Sequence, residues 1–176
     1  MSRILLIYSS IDGHTLKICH RLRQHLEQMG HSVALTAVDE AQHSELDRFD
    51  KIVIGASIRY GKHRPAVLDF VRTHAELLER KPSAFFSVNI VARKPEKNRP
   101  ETNPYVRKFL QQVPWEPRLL GVFAGKLNYP AYGYIDRQMI RFIMLLTHGP
   151  TDPTTVLEFT DWQQVEAFAE QLGALG

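Results

Sequence analysis

The chain opens on Arg3-Ile4-Leu5-Leu6-Ile7-Tyr8-Ser9-Ser10-Ile11-Asp12-Gly13-His14-Thr15, and no other stretch limits the fold as much. Its apolar run is too continuous for a strand with one wet face, so it fits a strand buried on both sides. The run breaks into a hydroxyl-rich loop with one glycine. Leu16, Cys19, Leu22, Leu26 and Met29 then recur at helical spacing until Gly30 closes the segment. A strand, a short hydroxyl loop and a helix point backbone N–H and side-chain O–H groups at whatever lies over the helix N-terminus. An anion, most often a phosphate, is favoured there. The same residues have a plainer reading, in which Ser10 or Asp12 caps the helix and nothing binds. Neither Gly-x-x-x-x-Gly-Lys-Ser/Thr nor Gly-x-Gly-x-x-Gly occurs, which sets aside a nucleoside-triphosphate loop and a dinucleotide fingerprint.

With 176 residues, 44% of them hydrophobic, the chain is long enough for one packed core. Lys plus Arg exceeds Asp plus Glu by 22 − 19 = +3, so local clustering of charge matters more than the total. The lone Cys19 rules out an internal disulfide and falls on the apolar side of the first helix. The eight histidines lack ligand spacing with Cys or acidic partners, and no metal site is expected. The N-terminal apolar run is too short for a signal peptide. The longest greasy stretch, Met139 to Leu146, contains Arg141 and is too short to span a bilayer.

Further strands are expected at Ser32–Val38, Lys51–Ser57, Ser83–Val88 and Leu119–Leu127. A helix starts at Pro65, with Val67, Leu68, Val71, Ala75 and Leu78 as its buried stripe. Others cover Pro104–Val113 and the span from Asp161, an N-cap, to about Leu172. Strand and helix alternate without repeats over residues 1–176, which predicts one α/β domain, a doubly wound five-stranded parallel sheet. Ligands of such sheets sit beyond the carboxyl ends of the strands. There the third strand leads into Ser57-Ile58-Arg59-Tyr60-Gly61 and the fourth into Ser87-Val88-Asn89-Ile90-Val91-Ala92-Arg93. Taken alone, Tyr60 is as good a packing residue as a stacking one. Together, a phosphate loop and two such neighbours suit a flat phosphorylated cofactor.

Ser10-Ile11-Asp12-Gly13-His14-Thr15 resembles the phosphate loop of the flavodoxin-like family, except that Asp12 takes a usual hydroxyl position. A carboxylate faces a phosphate badly, so Asp12 should point outward or cap the helix. The segments Gly55-Ala56-Ser57-Ile58-Arg59-Tyr60-Gly61, Asn89-Ile90-Val91-Ala92-Arg93-Lys94-Pro95-Glu96-Lys97 and Thr160-Asp161-Trp162 are similar to a narrower family, the quinone-dependent protoporphyrinogen IX dehydrogenases of haem biosynthesis. In that family Asp-Gly also precedes the Thr. The resemblance implies strand order 2-1-3-4-5, an insertion at about 128–153 associated with the fifth strand, and FMN as cofactor. It implies oxidation of protoporphyrinogen IX to protoporphyrin IX with menaquinone or ubiquinone as acceptor.

It also implies site residues. The phosphate goes to Ser10, Ile11, Asp12, Gly13, His14 and Thr15. The flavin ring lies between Ser57, Ile58, Arg59, Tyr60, Gly61 and Val88, Asn89, Ile90, Val91, Ala92, Arg93. Arg59 and Arg93 are candidates to stabilise reduced flavin. Arg93, Lys94, Lys97, Tyr129 and Tyr132 are candidates to hold the substrate, whose propionates a basic rim would attract; Arg99, Arg107 and Lys108 extend that rim, whose plainer reading is a solvated loop. His14 and His63 are expected near the site in surface roles.

Within the insertion, Ile135, Met139, Phe142, Ile143 and Leu146 fall at helical spacing, with Asp136, Arg137 and Arg141 elsewhere on the wheel. Such a helix either docks on the body or offers residues 135–146 to a hydrophobic partner: porphyrinogen, quinone or membrane. The second reading places the protein in the cytoplasm, peripheral on the inner face of the cell membrane. An NAD(P)H:quinone reductase and a flavodoxin-like electron carrier are the alternatives, although carriers are typically acidic and the pI here is about 9.1. The basic segment lacks interleaved aromatics and a nucleic-acid motif.

Overall fold

The computed structural model describes residues 1–176. Its main sheet contains β1 (Arg3–Ser9), β2 (Ser32–Ala37), β3 (Lys51–Arg59), the two-residue β4 (Lys62–His63), β5 (Ser83–Asn89) and β6 (Leu119–Ala124). The parallel strands lie in the order β2-β1-β3-β5-β6, and β4 folds back antiparallel on the end of β3. Without that short arm, the order in chain terms is 2-1-3-4-5, as expected.

Alternation within each central strand explains the continuous apolar runs. Leu5, Ile7, Ile52, Ile54 and Phe85 pack on one face, against α3 (Pro65–Thr73), α4 (Ala75–Arg80) and α5 (Pro104–Gln112). Ile4, Leu6, Val53 and Phe86 pack on the other, against α1 (His14–Gln28) and α7 (Trp162–Ala174). Cys19 lies in this second layer, fully buried. A four-residue turn of helix, α2 (His43–Leu46), sits between β2 and β3.

Helix ends follow their local chemistry. Gly30, at φ 89°, closes α1 with His31 N–H bonded to Leu26 O, a Schellman motif. Met29 therefore lies past the last turn and is exposed, and Ile18 takes a place in the core instead. The helix expected to run on from Pro65 is two helices, because His74 leaves helical geometry at φ −111° and pairs its Nδ1 with Phe70 O. The bend brings Phe70 and Leu77 into the core beside Val67, Val71 and Leu78. Asn103 caps α5, and Asp161 caps α7 by accepting from the N–H groups of Gln163 and Gln164.

The fifth long strand stops at Ala124 rather than Leu127. Beyond Gly125 the chain forms β7 (Lys126–Asn128), which pairs antiparallel with β8 (Val156–Glu158) in a sheet of its own. Phe159 N–H returns to Gly125 O. Between the two arms lies α6 (Tyr134–Leu146). Glu158 anchors the base by accepting from Lys17 Nζ and Trp162 Nε1.

Gly55 permits one close approach in the sheet: a Cβ there would meet Phe86 Cζ at 2.1 Å. Phe86 is fully buried and cannot swing aside. Gly55→Ala should cost about 1–3 kcal/mol by overpacking, read as a lowered midpoint in urea.

Candidate active site

Register brings the carboxyl ends together. Ser9 aligns with Ala56, Ala56 with Ser87, and Ser87 with Val122, so three loops leave the sheet along one edge. In the first, Gly13 turns the chain at φ 82° into α1, and no side chain caps that helix. Asp12 is exposed and does not cap the helix, which removes the capping reading of this loop, but it faces the cleft rather than away from it. Ser10 Oγ and Thr15 Oγ1 are buried without any hydrogen-bond partner. Two buried hydroxyls left unpaired beside an uncapped helix N-terminus fit an anion acceptor in that position.

The second loop is the β3–β4 hairpin, with Tyr60 at φ 50° and Gly61 at φ 73°. Two successive positive φ values make the tight turn that matches strand twist, and Tyr60 bears the strain of the left-handed region. Arg59 Nη2 donates to Asp136 Oδ2 at 2.6 Å, and Tyr60 OH donates to the other oxygen of the same carboxylate.

The third loop is built by a buried amide network. Asn89 Oδ1 accepts from Ala92 N–H and from Asn103 Nδ2, while Asn103 Oδ1 accepts from the first N–H groups of α5. Asn89 Nδ2 donates to Ser87 Oγ, which lies 2.9 Å from His63 Nε2. His63 is no surface residue: it is buried, edge-on to Phe85 and Phe109, and burial pushes its imidazole down to about 4.

A cleft of about 410 Å³ opens between these loops. Ser10, Ile11, Asp12, His14 and Thr15 line it from the first loop, Ser57 through Gly61 from the second, and Val88, Asn89, Ile90, Val91 and Arg93 from the third. Gly13 lies outside this wall, and Ala92 packs inward against Val106, Val122 and Ala124. Among the substrate candidates, Tyr132 is on the wall; Lys94 and Lys97 are not. Tyr129 is 0% exposed in the core of the insertion, with its hydroxyl donated to Pro150 O, and cannot touch a ligand. The fourth wall is Asp136, Met139, Ile140, Ile143 and Met144 of α6, with Tyr105, Lys126 and Asn128. Helical spacing offered residues 135–146 to a hydrophobic partner, but nothing in the sequence pointed to Tyr105, Lys126 or Asn128.

His14 is likewise buried, on the wall of the cleft. Thr160 Oγ1 lies 2.6 Å from Ala124 O and 2.6 Å from His14 Nε2. The hydroxyl hydrogen goes to the carbonyl, so the pattern assigns the donor role to Nε2–H and leaves Nδ1 as an acceptor. Burial lowers the His14 pKa; Glu158 opposes this and Lys17 and Lys126 add to it.

Both candidate arginines are committed to protein partners. Arg93 donates to Ile90 O, Thr147 O and Thr147 Oγ1, at the carboxyl end of α6. Arg59 holds Asp136 in the first turn of the same helix. Asp136 and Arg93 each sit at the helix end that favours its charge. Arg137 and Arg141 also turn inward, to carbonyls of Tyr129, Tyr132 and Thr151. The outer arc of α6 is consequently apolar: Tyr134, Ile135, Met139, Phe142, Leu145 and Leu146 are exposed, with Gln138 among them.

A Flavodoxin domain family model matches residues 5–154. The protoporphyrinogen IX dehydrogenase [quinone] of Escherichia coli (strain K12) is 43% identical over 173 residues, covering 98% of this chain and 96% of that one. The protein of the same name from Leishmania major is 43% identical over 174 residues, covering 98% of this chain and 75% of its own. Among solved structures, oxidised flavodoxin 1 from Bacillus cereus aligns with a TM-score of 0.56 at 16% identity, covering 97% of each chain. A flavodoxin from Archaea aligns with a TM-score of 0.55 at 14% identity, covering 98% of this chain and 96% of that one. These two are likenesses of fold.

His63 also makes stability depend on pH. Below about pH 6.5 the unfolded chain takes up a proton here, which the folded chain refuses until about pH 4. Stability should therefore fall as pH drops through that window, by on the order of 3 kcal/mol. Denaturant titrations from pH 7 to 4 should show this slope in the parent and a shallower one in His63→Gln.

Proposed function

The chain belongs to the flavodoxin-domain family and, within it, to the quinone-dependent protoporphyrinogen IX dehydrogenases, and on that basis we propose that it oxidises protoporphyrinogen IX to protoporphyrin IX with FMN and passes the electrons to a quinone. The observation that carries the cofactor assignment is the pair of unpartnered hydroxyls, Ser10 Oγ and Thr15 Oγ1, beside the uncapped start of α1. They would hold the FMN phosphate together with first-turn N–H groups. The Ser57–Gly61 and Val88–Arg93 loops would hold the ring. When bound, FMN supplies the two-electron redox chemistry that no side chain here can perform.

The chain's own residues then bind, orient and exclude. Tyr132, Ile140, Ile143 and Met144 give the cleft an apolar wall suited to a macrocycle. Arg59 and Arg93 hold that wall in place through Asp136 and Thr147, which makes them positioning residues. Lys94, Lys97, Arg99, Arg107 and Lys108 make no ion pair, so their charge is free to steer a substrate with two propionates toward the cleft.

The outer arc of α6 supports a peripheral seat on a bilayer, which is where a lipid-soluble quinone resides. Lys94 and Lys97 follow Arg93, which bonds the end of this helix, and their unpaired charges would complement anionic headgroups. No helix is long and apolar enough to cross a membrane. This reading places the protein on the cytoplasmic face of the cell membrane.

Anaerobic mixing of the FMN-loaded protein with protoporphyrinogen IX should bleach the flavin, and a menaquinone analogue should restore it. A flavin that stays oxidised would overturn the dehydrogenase reading. Thr15→Val should weaken FMN binding about ten- to a hundredfold, the range for a hydrogen bond to a charged group, in a flavin-fluorescence titration. The same variant without FMN should unfold no earlier than the parent, because the lost hydroxyl has no partner to abandon.

A further inference from the structure

The insertion helix is hydrogen-bonded to the cofactor loops only at its ends. Its hydrogen bonds to the cofactor loops are made by Asp136, to Arg59 and Tyr60, and the next such link is Arg93 to Thr147, just past its last turn. Arg137 and Arg141 bond within the insertion itself. Between the two clamps, the cleft is closed on this side by Met139, Ile140, Ile143 and Met144, through apolar contact alone.

Met139 belongs to two surfaces at once. It lines the cleft and is 42% exposed on the apolar arc of α6. Tyr60, bonded to Asp136 at the start of α6, also lines the cleft and is 52% exposed. The charges beside them, Arg59 and Asp136, are paired with each other. The apolar face that meets lipid therefore continues into the cleft over a rim whose own two charges neutralise each other. Methionine is the residue best able to yield there, being unbranched and rotatable at three bonds.

We propose that a lipid-dissolved quinone enters the cleft sideways over the Met139 rim, between the Asp136 and Thr147 clamps, while its isoprenoid tail stays in the bilayer. This rests on the membrane and flavin readings above. Every methylene of the tail that leaves lipid for water is unfavourable, and this route keeps the tail out of water. Ring and tail chemistry, rather than a particular quinone, set what fits.

The test uses the full-length holoprotein with its flavin photoreduced, so that the outcome does not depend on porphyrinogen. Reoxidation is timed with a tail-less naphthoquinone in solution and with a long-tailed menaquinone in phosphatidylglycerol-containing vesicles. Met139→Trp should lower the ratio of vesicular to soluble reoxidation rate by about tenfold relative to the parent. Its introduced indole should be quenched by lipids brominated on the acyl chain. Gln138→Trp, one residue along the arc and off the cleft wall, should be quenched too but keep the parental ratio within about twofold. An unchanged ratio in Met139→Trp, or an unquenched indole at that position, overturns the route. A parent that fails to float with vesicles overturns the membrane reading and the route with it. A parent that floats but is reoxidised only by the soluble quinone overturns the route and leaves the membrane reading standing.

Discussion

Asp136 accepts hydrogen bonds from Arg59 and Tyr60 at the same time, and the shape of the cleft depends on that arrangement. It joins the insertion to the hairpin that leaves β3, and it gives Tyr60 a partner for a conformation that tyrosine adopts reluctantly. Arg93 does the equivalent at the other end of α6. With both ends fixed and Arg137 and Arg141 also turned inward, the polar side of the helix is consumed within the protein. What is left for the outside is hydrophobic. A helix on a soluble protein ordinarily presents the reverse.

The cleft combines two kinds of preparation. On the sheet side the polar groups are satisfied in advance: Asn89 and Asn103 bond each other and shape the third loop, and Thr160 fixes the His14 ring. At the start of α1 they are not, for Ser10 and Thr15 keep buried hydroxyls without partners. Asn103 and Asp161 spend their side chains capping α5 and α7, whereas Gly13 offers α1 nothing. The free donors are concentrated where a phosphate would sit, and the surrounding scaffold is held rigid by bonds already made.

Thr160-Asp161-Trp162 shows how much a short motif can carry. Thr160 bridges Ala124 O and His14, Asp161 caps α7, and Trp162 donates to Glu158 at the base of the insertion. Three consecutive residues thus connect the sheet edge, the last helix and the excursion between β7 and β8. The Asn89–Lys97 segment works similarly, with Asn89 shaping the turn and Arg93 leaving it to clamp α6. Neither role can be seen in spacing, because each partner is distant in the chain.

Strand order was legible only through the family resemblance; the amino-acid sequence by itself determined the layered α/β plan and the three loops at the carboxyl edge. Those follow from local periodicity and from turn residues such as Gly13 and Gly61, which act on near neighbours. Tertiary structure decided what the charged and aromatic residues do. Arg59 and Arg93 read as cations for a cofactor until Asp136 and Thr147, each more than fifty residues away in the chain, are seen to occupy them. Tyr129 and Tyr132 look alike on paper, yet one is core and the other is cleft wall. His14 and His63 read as surface residues and are buried, because the groups that cover them come from other strands and helices. The helical spacing around Met139 announced an amphipathic helix, but which face would be inward depended on long-range partners for its charges. Hydrophobic periodicity is a local property; the satisfaction of a buried polar group is not.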